Sequence, residues 1–352
     1  MKGVNFGGWF SQIDAIEAKD PAVFPGMLGH IDHFLGPADF QRVKDWGFDH
    51  VRLPVDWFNV FTPDIELRAD VMERLERAIT GITRIGLGLI LDLHRCPGHN
   101  FEHALHTEQS FFSTPSQRRD CLRVWAVLAE HFGSMPGVIL ELLNEPVAPD
   151  AETWNIVKGE LAREIRRFAP KSTLLVGSNR WNHVSEFEHM TPIEDDNVIY
   201  SFHYYLPVVF THQKAPWLPE QVFQQSYQYP GNYKFESEEG NLPLEFGIWN
   251  KDRMRDSWQH VIRFRDQFGV KVSCNEWGVY MGGAKRLSQL AWIRDCLALL
   301  AENQIGWTYW NYKNLDFGII SQGEQLFADH PPYCNPERTD HELLTLLRQK
   351  TQ

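Results

Sequence analysis

At 352 residues the chain is long enough for one large domain or two ordinary ones, and its core needs no disulfide or metal staple. Hydrophobic residues make up 43% and charged residues 23%, the profile of a globular protein and not of a disordered one. A net charge of −12 with no block of Lys or Arg argues against nucleic acid or an anionic membrane as partner, and no apolar run is long enough to span a bilayer.

Met1-Lys2-Gly3 leads straight into the first apolar segment, leaving no room for a signal region. With Met1 as the native start the expected location is the cytoplasm; a trimmed chain would be secreted. Eight strand-like segments follow, at 3–9, 50–55, 87–94, 138–144, 172–178, 198–204, 270–276 and 306–311. Between them lie stretches with apolar residues at helical spacing. Residues 68–85 carry Val71, Leu75, Ile79 and Ile82; 116–132 carry Leu122, Trp125, Leu128 and Phe132. Residues 152–168 carry Trp154, Val157, Leu161 and Ile165; 285–302 carry Leu290, Ile293, Leu297 and Leu300. Gly86, Gly133 and Gly306 stand where helix stops are expected. Eight βα units predict an α/β fold, a single (β/α)8 TIM barrel over 1–352. The competing doubly wound sheet lacks its Gly-x-Gly-x-x-Gly turn after the first strand.

One stretch breaks the rhythm. About 65 residues separate the sixth and seventh strands, where a plain βα unit needs roughly 30. The segment 207–250, rich in Pro, Tyr, Gln, Trp and Phe, is expected to be a small subdomain inserted after strand six, near the active-site mouth.

In such a barrel the chemistry belongs to the C-terminal ends of the strands. Strand two ends Val51-Arg52-Leu53-Pro54, strand three Leu91-Asp92-Leu93-His94, and strand four Leu143-Asn144-Glu145-Pro146. Strand six ends Phe202-His203-Tyr204-Tyr205, strand seven Cys274-Asn275-Glu276-Trp277, and strand eight carries Trp307-Thr308-Tyr309-Trp310. Glu145 and Glu276 therefore face each other across the barrel mouth. Glycoside hydrolysis needs such a pair, one to protonate the departing oxygen and one to attack the anomeric carbon or activate water. The distance between them, not the sequence, decides which.

Other groups compete for attention. The five cysteines, 96, 121, 274, 296 and 334, are odd in number and form no Cys-x-x-Cys pair, so neither a disulfide framework nor a zinc site is indicated. His99, His103 and His106 cluster after strand three without carboxylate or thiol partners, which points away from a metal. No cofactor is implied, because two carboxylates suffice. The 13 Trp are open to two uses, core filling and sugar stacking.

Together these residues resemble glycoside hydrolase family five, and within it the single-domain clostridial endoglucanase C type. The resemblance runs from Gly3-Val4-Asn5-Phe6-Gly7-Gly8-Trp9 to the end of the chain. It includes Gly47-Phe48-Asp49-His50-Val51-Arg52-Leu53-Pro54, Glu141-Leu142-Leu143-Asn144-Glu145, Thr211-His212-Gln213-Lys214-Ala215 and Trp310-Asn311-Tyr312-Lys313. It implies Glu145 as acid/base and Glu276 as nucleophile, with Arg52 and Tyr205 bonded to Glu276. It implies Asn144 on the sugar 2-hydroxyl, His94 and His203 lining the cleavage subsite with His203 near the acid/base, and Trp310 as its floor. Arg95 departs from the pattern, which often has a second His there. The implied activity is that of a retaining endo-β-glucanase acting on β-1,4 or mixed β-1,3-1,4 glucan or oligosaccharide. Exo-acting β-1,3-glucanase, β-glucosidase and β-mannanase activities share the same site residues. A catalytically dead carbohydrate-binding barrel is the reading from another class; the presence of both glutamates with their supporting shell speaks against it. The oligomeric state is not legible in the chain.

Overall fold

The computed structural model describes residues 1–349 except 20, 23, 105, 106, 108, 219–225, 234–245 and 322–337. Its strands, in chain order, are β1 Lys2–Asn5, β2 His50–Asp56, β3 Gly88–Arg95, β4 Val138–Glu141, β5 Thr173–Gly177 and β6 Val198–Tyr204. They continue with β7 Gly231–Tyr233, β8 Gly247–Trp249, β9 Lys271–Trp277, β10 Gly306–Tyr309, β11 Ile320–Ser321 and β12 Arg338–Thr339. Eight of them close into a parallel barrel in the order β1-β10-β9-β6-β5-β4-β3-β2. The seam is the pairing of β1 with β10, Lys2 opposite Trp307 and Val4 opposite Tyr309.

Both faces of these strands are covered, so they read as nearly continuous apolar runs. Val51, Leu53, Val55, Leu89, Leu91 and Leu93 belong to the large core shared with the helices. Ile90, Leu175 and Ile199 form a separate cluster, the apolar plug inside the barrel.

The four periodic segments are helices at Ala69–Arg84, Pro115–Phe132, Ala151–Phe168 and Arg286–Glu302. The glycine expectations fare unevenly. Gly86 follows its helix at φ +81°, as a helix stop should. Gly133 caps its helix in right-handed geometry; there a Cβ would lie 2.2 Å from that of Ala169, so close packing, not φ, requires glycine. Gly306 opens β10, and the left-handed residue after that helix is Gln304 at φ +55°.

Three tryptophans answer what their ring count left open. Trp125 donates its indole N–H to the Leu142 carbonyl (2.8 Å), Trp154 to Gly177 (2.9 Å) and Trp292 to Leu206 (2.9 Å). Each pins a helix to the chain at the end of a barrel strand. These rings fill the core and satisfy backbone acceptors.

Within 207–250 the described residues include a short helix Val208–Thr211 and the antiparallel pair β7–β8. Tyr229 from this segment donates to Asp295 (2.8 Å) on the helix Arg286–Glu302. His212 packs edge-on against Tyr205, with ring centroids 5.0 Å apart, so the insertion reaches a strand-end residue of the barrel. Residues 219–225 and 234–245 of the segment lie outside the described residues.

Candidate active site

Arg52, on β2, is fully buried and organises the floor of the barrel mouth. Its Nε and Nη2 donate to the two oxygens of Glu141 (2.6 and 3.0 Å), a bidentate fork. Its Nη1 donates to Glu276 Oε1 (2.6 Å) and to Asn5 Oδ1 (3.0 Å). Nη2 also reaches Asn144 Oδ1 (2.8 Å) and Asp92 Oδ2 (3.0 Å). One guanidinium thus serves three carboxyl groups.

Glu276 enters the barrel because β6 and β9 slip by one residue. Phe202 pairs with Cys274, but His203 pairs with Glu276, skipping Asn275. A bulge of this kind re-aims side chains; here both Asn275 and Glu276 are buried. Tyr205 donates its hydroxyl to Glu276 Oε2 (3.1 Å), so both oxygens of Glu276 are held.

Glu145 is reached differently. The expected strand 138–144 ends at Glu141; the chain beyond keeps isolated bonds from Leu142 N to Leu175 O (3.0 Å) and from Asn144 N to Leu93 O (3.0 Å). Glu145 then takes φ +42°, a conformation no strand continues. His99 Nε2 donates to its carbonyl oxygen (3.1 Å), which fixes that turn from below. On its side chain, His203 Nδ1 lies 2.8 Å from Oε1 and also 3.5 Å from Glu276 Oε2. One ligand atom each from Glu145, His203 and Glu276 lie within 4.8 Å of one another.

Burial pushes the Glu145 carboxyl well above the usual carboxylate range, and the nearby Glu276 adds to it. Burial raises Glu276 too, but Arg52 opposes the rise. The proton therefore resides on Glu145 and the charge on Glu276. Burial drives His203 well below the ordinary imidazole range, with Arg52 and His94 acting in the same direction; His94 falls to about 3, chiefly by burial. Both rings are neutral at pH 7.

Trp310 and His94 stack in parallel, 5.8 Å between centroids and 5° between planes. Among the described residues His94 Nε2 and Asn144 Nδ2 are buried without a partner, free for a ligand's hydroxyls.

All eight residues expected from the sequence are thus brought together. Arg95 points elsewhere: it bonds Asp14 and Glu102, lies 3.7 Å from Asp56, and has Phe58 beside it. Among the described cysteines, 96, 121, 274 and 296 are free and buried, and Cys334 lies outside the described residues. Of the histidine cluster, His99 is used on the Glu145 backbone and His106 is outside the described residues. Glu145, His203 and Glu276 are close enough to hold a cation, but their facing atoms already bond one another, Arg52 and Tyr205.

Sequence reasoning gave no role to Asn5, Asp92, Glu141, His99 or Asn182. Asp92 and Glu141 carried a signal, since each is a carboxylate inside an otherwise apolar strand. Asn182 Nδ2 lies 3.0 Å from His203 Nε2; nothing in its loop sequence announces that contact.

Residues 17–316 match the family Cellulase (glycosyl hydrolase family 5). The chain is 32% identical over 337 residues to Endoglucanase C of Acetivibrio thermocellus, covering 91% of this chain and 93% of that one. It is 30% identical over 283 residues to Cellodextrinase A of Ruminococcus flavefaciens, covering 79% and 76%. Endoglucanase Cel5A of Thermotoga maritima shares the fold with a TM-score of 0.72 at 21% identity, over 98% of this chain and 96% of that one. The cellulose synthase subunit Z of Clostridioides difficile does so with a TM-score of 0.74 at 22% identity, over 98% of each. Barrel, paired glutamates and similarity across nearly the whole length agree: the chain belongs to glycoside hydrolase family 5.

Proposed function

We propose that this protein is a retaining endo-β-glucanase that cleaves β-1,4 or mixed β-1,3-1,4 glucan, with Glu276 as nucleophile and Glu145 as acid/base. The observation that carries the reading is the short gap between the two carboxyls, with facing atoms within 4.8 Å. Retaining enzymes hold the pair about 5–5.5 Å apart; inverting ones leave about 6.5–9.5 Å for a water. The endoglucanase relative of matching length supports the substrate class.

The steps follow from the environment of each group. A glucosyl unit lies against Trp310 beside His94, with its 2-hydroxyl within reach of Asn144 Nδ2. Glu276, charged and held by Arg52 and Tyr205, attacks the anomeric carbon. Glu145 gives its proton to the glycosidic oxygen, and the leaving sugar departs as a neutral alcohol. In the resulting ester Glu276 carries no charge, so the pressure that kept Glu145 protonated falls. Glu145 then takes a proton from water, the water attacks the anomeric carbon, and the β-sugar and free Glu276 carboxylate return.

Two measurements test this. Incubation with soluble mixed-linkage β-glucan is expected to give a fast viscosity drop and oligosaccharides of several lengths; a single short product from the start would overturn the endo assignment. Glu276→Ala should abolish turnover on every substrate. Glu145→Ala should lose about 100-fold or more on glucan but much less on aryl cellobiosides whose leaving groups need no proton. Equal losses on both would remove Glu145 from the acid role.

A further inference from the structure

The loop after β5 carries three successive non-glycine residues in left-handed geometry, Arg180, Trp181 and Asn182, at φ 48°, 59° and 53°. Left-handed geometry is disfavoured for such residues unless a side chain compensates locally, and clusters of them favour functional sites. Here the loop is sewn to the chain just past Glu145. Asn179 Nδ2 donates to the Ala148 carbonyl (3.2 Å) and its Oδ1 accepts from Ala148 N (2.8 Å). Trp181 N reaches the Pro146 carbonyl (3.3 Å), and its indole donates to the Phe101 carbonyl (3.1 Å). The loop is therefore held in register with Glu145.

Its product is the placement of one amide. Asn182 is fully buried, with Nδ2 3.0 Å from Nε2 of His203. The space for it comes from Gly177, where a Cβ would lie 2.1 Å from Asn182 Oδ1. On the other side of the same ring, Nδ1 lies 2.8 Å from Glu145 Oε1. A neutral imidazole has one N–H, and the partner of one nitrogen decides the state of the other.

We propose that Asn182 is a positioning residue for the acid/base: its amide N–H, given to His203 Nε2, fixes the ring proton on Nδ1, makes Glu145 Oε1 a permanent acceptor, and confines the transferable proton to Glu145 Oε2. The proposal rests on Glu145 being the acid/base. With the opposite tautomer, Nδ1 would face Glu145 as an acceptor and draw the catalytic proton onto Oε1, away from the glycosidic oxygen. The charged and titratable groups acting on the pair are Glu276, Arg52, Glu102 and Asp92 on Glu145, and Arg52 and His94 on His203. Tyr205 bonds the facing Glu276. Among the described residues none of these groups contacts Nε2 by a hydrogen bond; Asn182 does.

The test is Asn182→Asp, isosteric and tolerant of left-handed φ. Once ionised, the introduced carboxylate accepts from Nε2 and forces the other tautomer. Compared with the parent, kcat/KM on cellotetraose should fall about 10- to 100-fold, within the range of general acid catalysis, and the loss should deepen from pH 5 to pH 8 as the introduced carboxyl ionises. On 2,4-dinitrophenyl cellobioside, which needs no proton, the loss should stay within about threefold, because the glycosylation step there bypasses general acid catalysis. Equal losses on both substrates, or none on either, would overturn the proposal. Glu145→Ala run alongside separates the two ideas. No leaving-group split there removes the acid/base reading; a split there but not in Asn182→Asp removes only the relay. Should Asn182→Asp fail to fold, long-range proton–nitrogen NMR of histidine-labelled parent decides. The His203 signal, identified by its loss in His203→Gln, should show a proton on Nδ1; a proton on Nε2 would overturn the relay.

Discussion

Arg52 is the residue on which the others depend. Around its single positive charge stand Asp92, Glu141 and Glu276, all buried. Burial raises Asp92 and Glu141 to about 7, against the pull of Arg52. Replacement by Lys keeps the charge but loses the planar fork that reaches Glu141 and Glu276 together. Arg52→Lys should therefore lower kcat on aryl cellobiosides by about 100-fold or more, the scale of a lost preorganised donor, with a lowered melting temperature. Retention of parental kcat would mean that Glu276 does not need the guanidinium. The residues named from the sequence, Arg52 apart, share one property: each lies at the end of a strand, or follows one, at the face where barrels keep polar groups. Asn5, Asp92 and Glu141 fall inside the expected strands 3–9, 87–94 and 138–144, where the same pattern expects apolar side chains, so their chemistry was hidden behind their position. Asn182 was hidden for another reason: its reach depends on a run of left-handed residues that no turn composition, without Gly, announces.

Elements tell a similar story. The long helices were legible because a buried face repeats every three to four residues, and their ends agree within a residue or two. The strand ends were less so. β1 stops at Asn5 and β4 at Glu141, short of the ends expected at 9 and 144. Beyond those points side chains and loops, not ladder bonds, hold the chain. The slip between β6 and β9 that turns Glu276 inward has no sequence mark at all, because Asn275 and Glu276 are both polar. Helices and strand ends are coupled by the indole bonds. Trp154→Phe would keep the ring packing and leave the Gly177 carbonyl unpaired, a cost of about 1–3 kcal/mol. Gly177 is also the residue against which Asn182 rests. The expected result is a lower melting temperature together with a loss on cellotetraose larger than on an aryl cellobioside. Equal kinetic effects would confine Trp154 to stability.

Across the whole molecule, buried carboxyls and histidines set the dependence of stability on pH. Asp56, Asp92 and Glu141 are each raised to about 7, chiefly by burial. In the unfolded chain such groups titrate near 4. Between about pH 4 and 7 the folded state therefore binds more protons, and the stability this confers is lost as pH rises through about 7. Asp32, Asp49 and Asp195 act in the opposite sense, since their lowered values make the fold lose stability in acid. His30, His94, His99, His183, His203 and His212, all lowered by burial, favour the fold as pH rises towards 6.5, so the decline due to the carboxyls should show in the melting temperature between about pH 6 and 7. Asp56→Asn, away from the catalytic pair, should make that decline shallower; an unchanged slope would exclude Asp56 from it.

The seam between β1 and β10 has a temporal consequence. Asn5 donates to the carbonyls of Asn275 and Tyr309 (3.0 and 3.2 Å), contacts that join the first strand to the last two across most of the chain. Loop closure of that span is entropically slow, and non-local pairing is what limits folding rates. A chain emerging from the ribosome can assemble β2 to β6 early, yet β1 and β9 keep open edges until β10 arrives. Such edges invite pairing with other chains. The half-built barrel is thus the state most exposed to aggregation, and the last barrel strand does two jobs at once: it seals that edge and brings Trp310 against His94 at the barrel mouth.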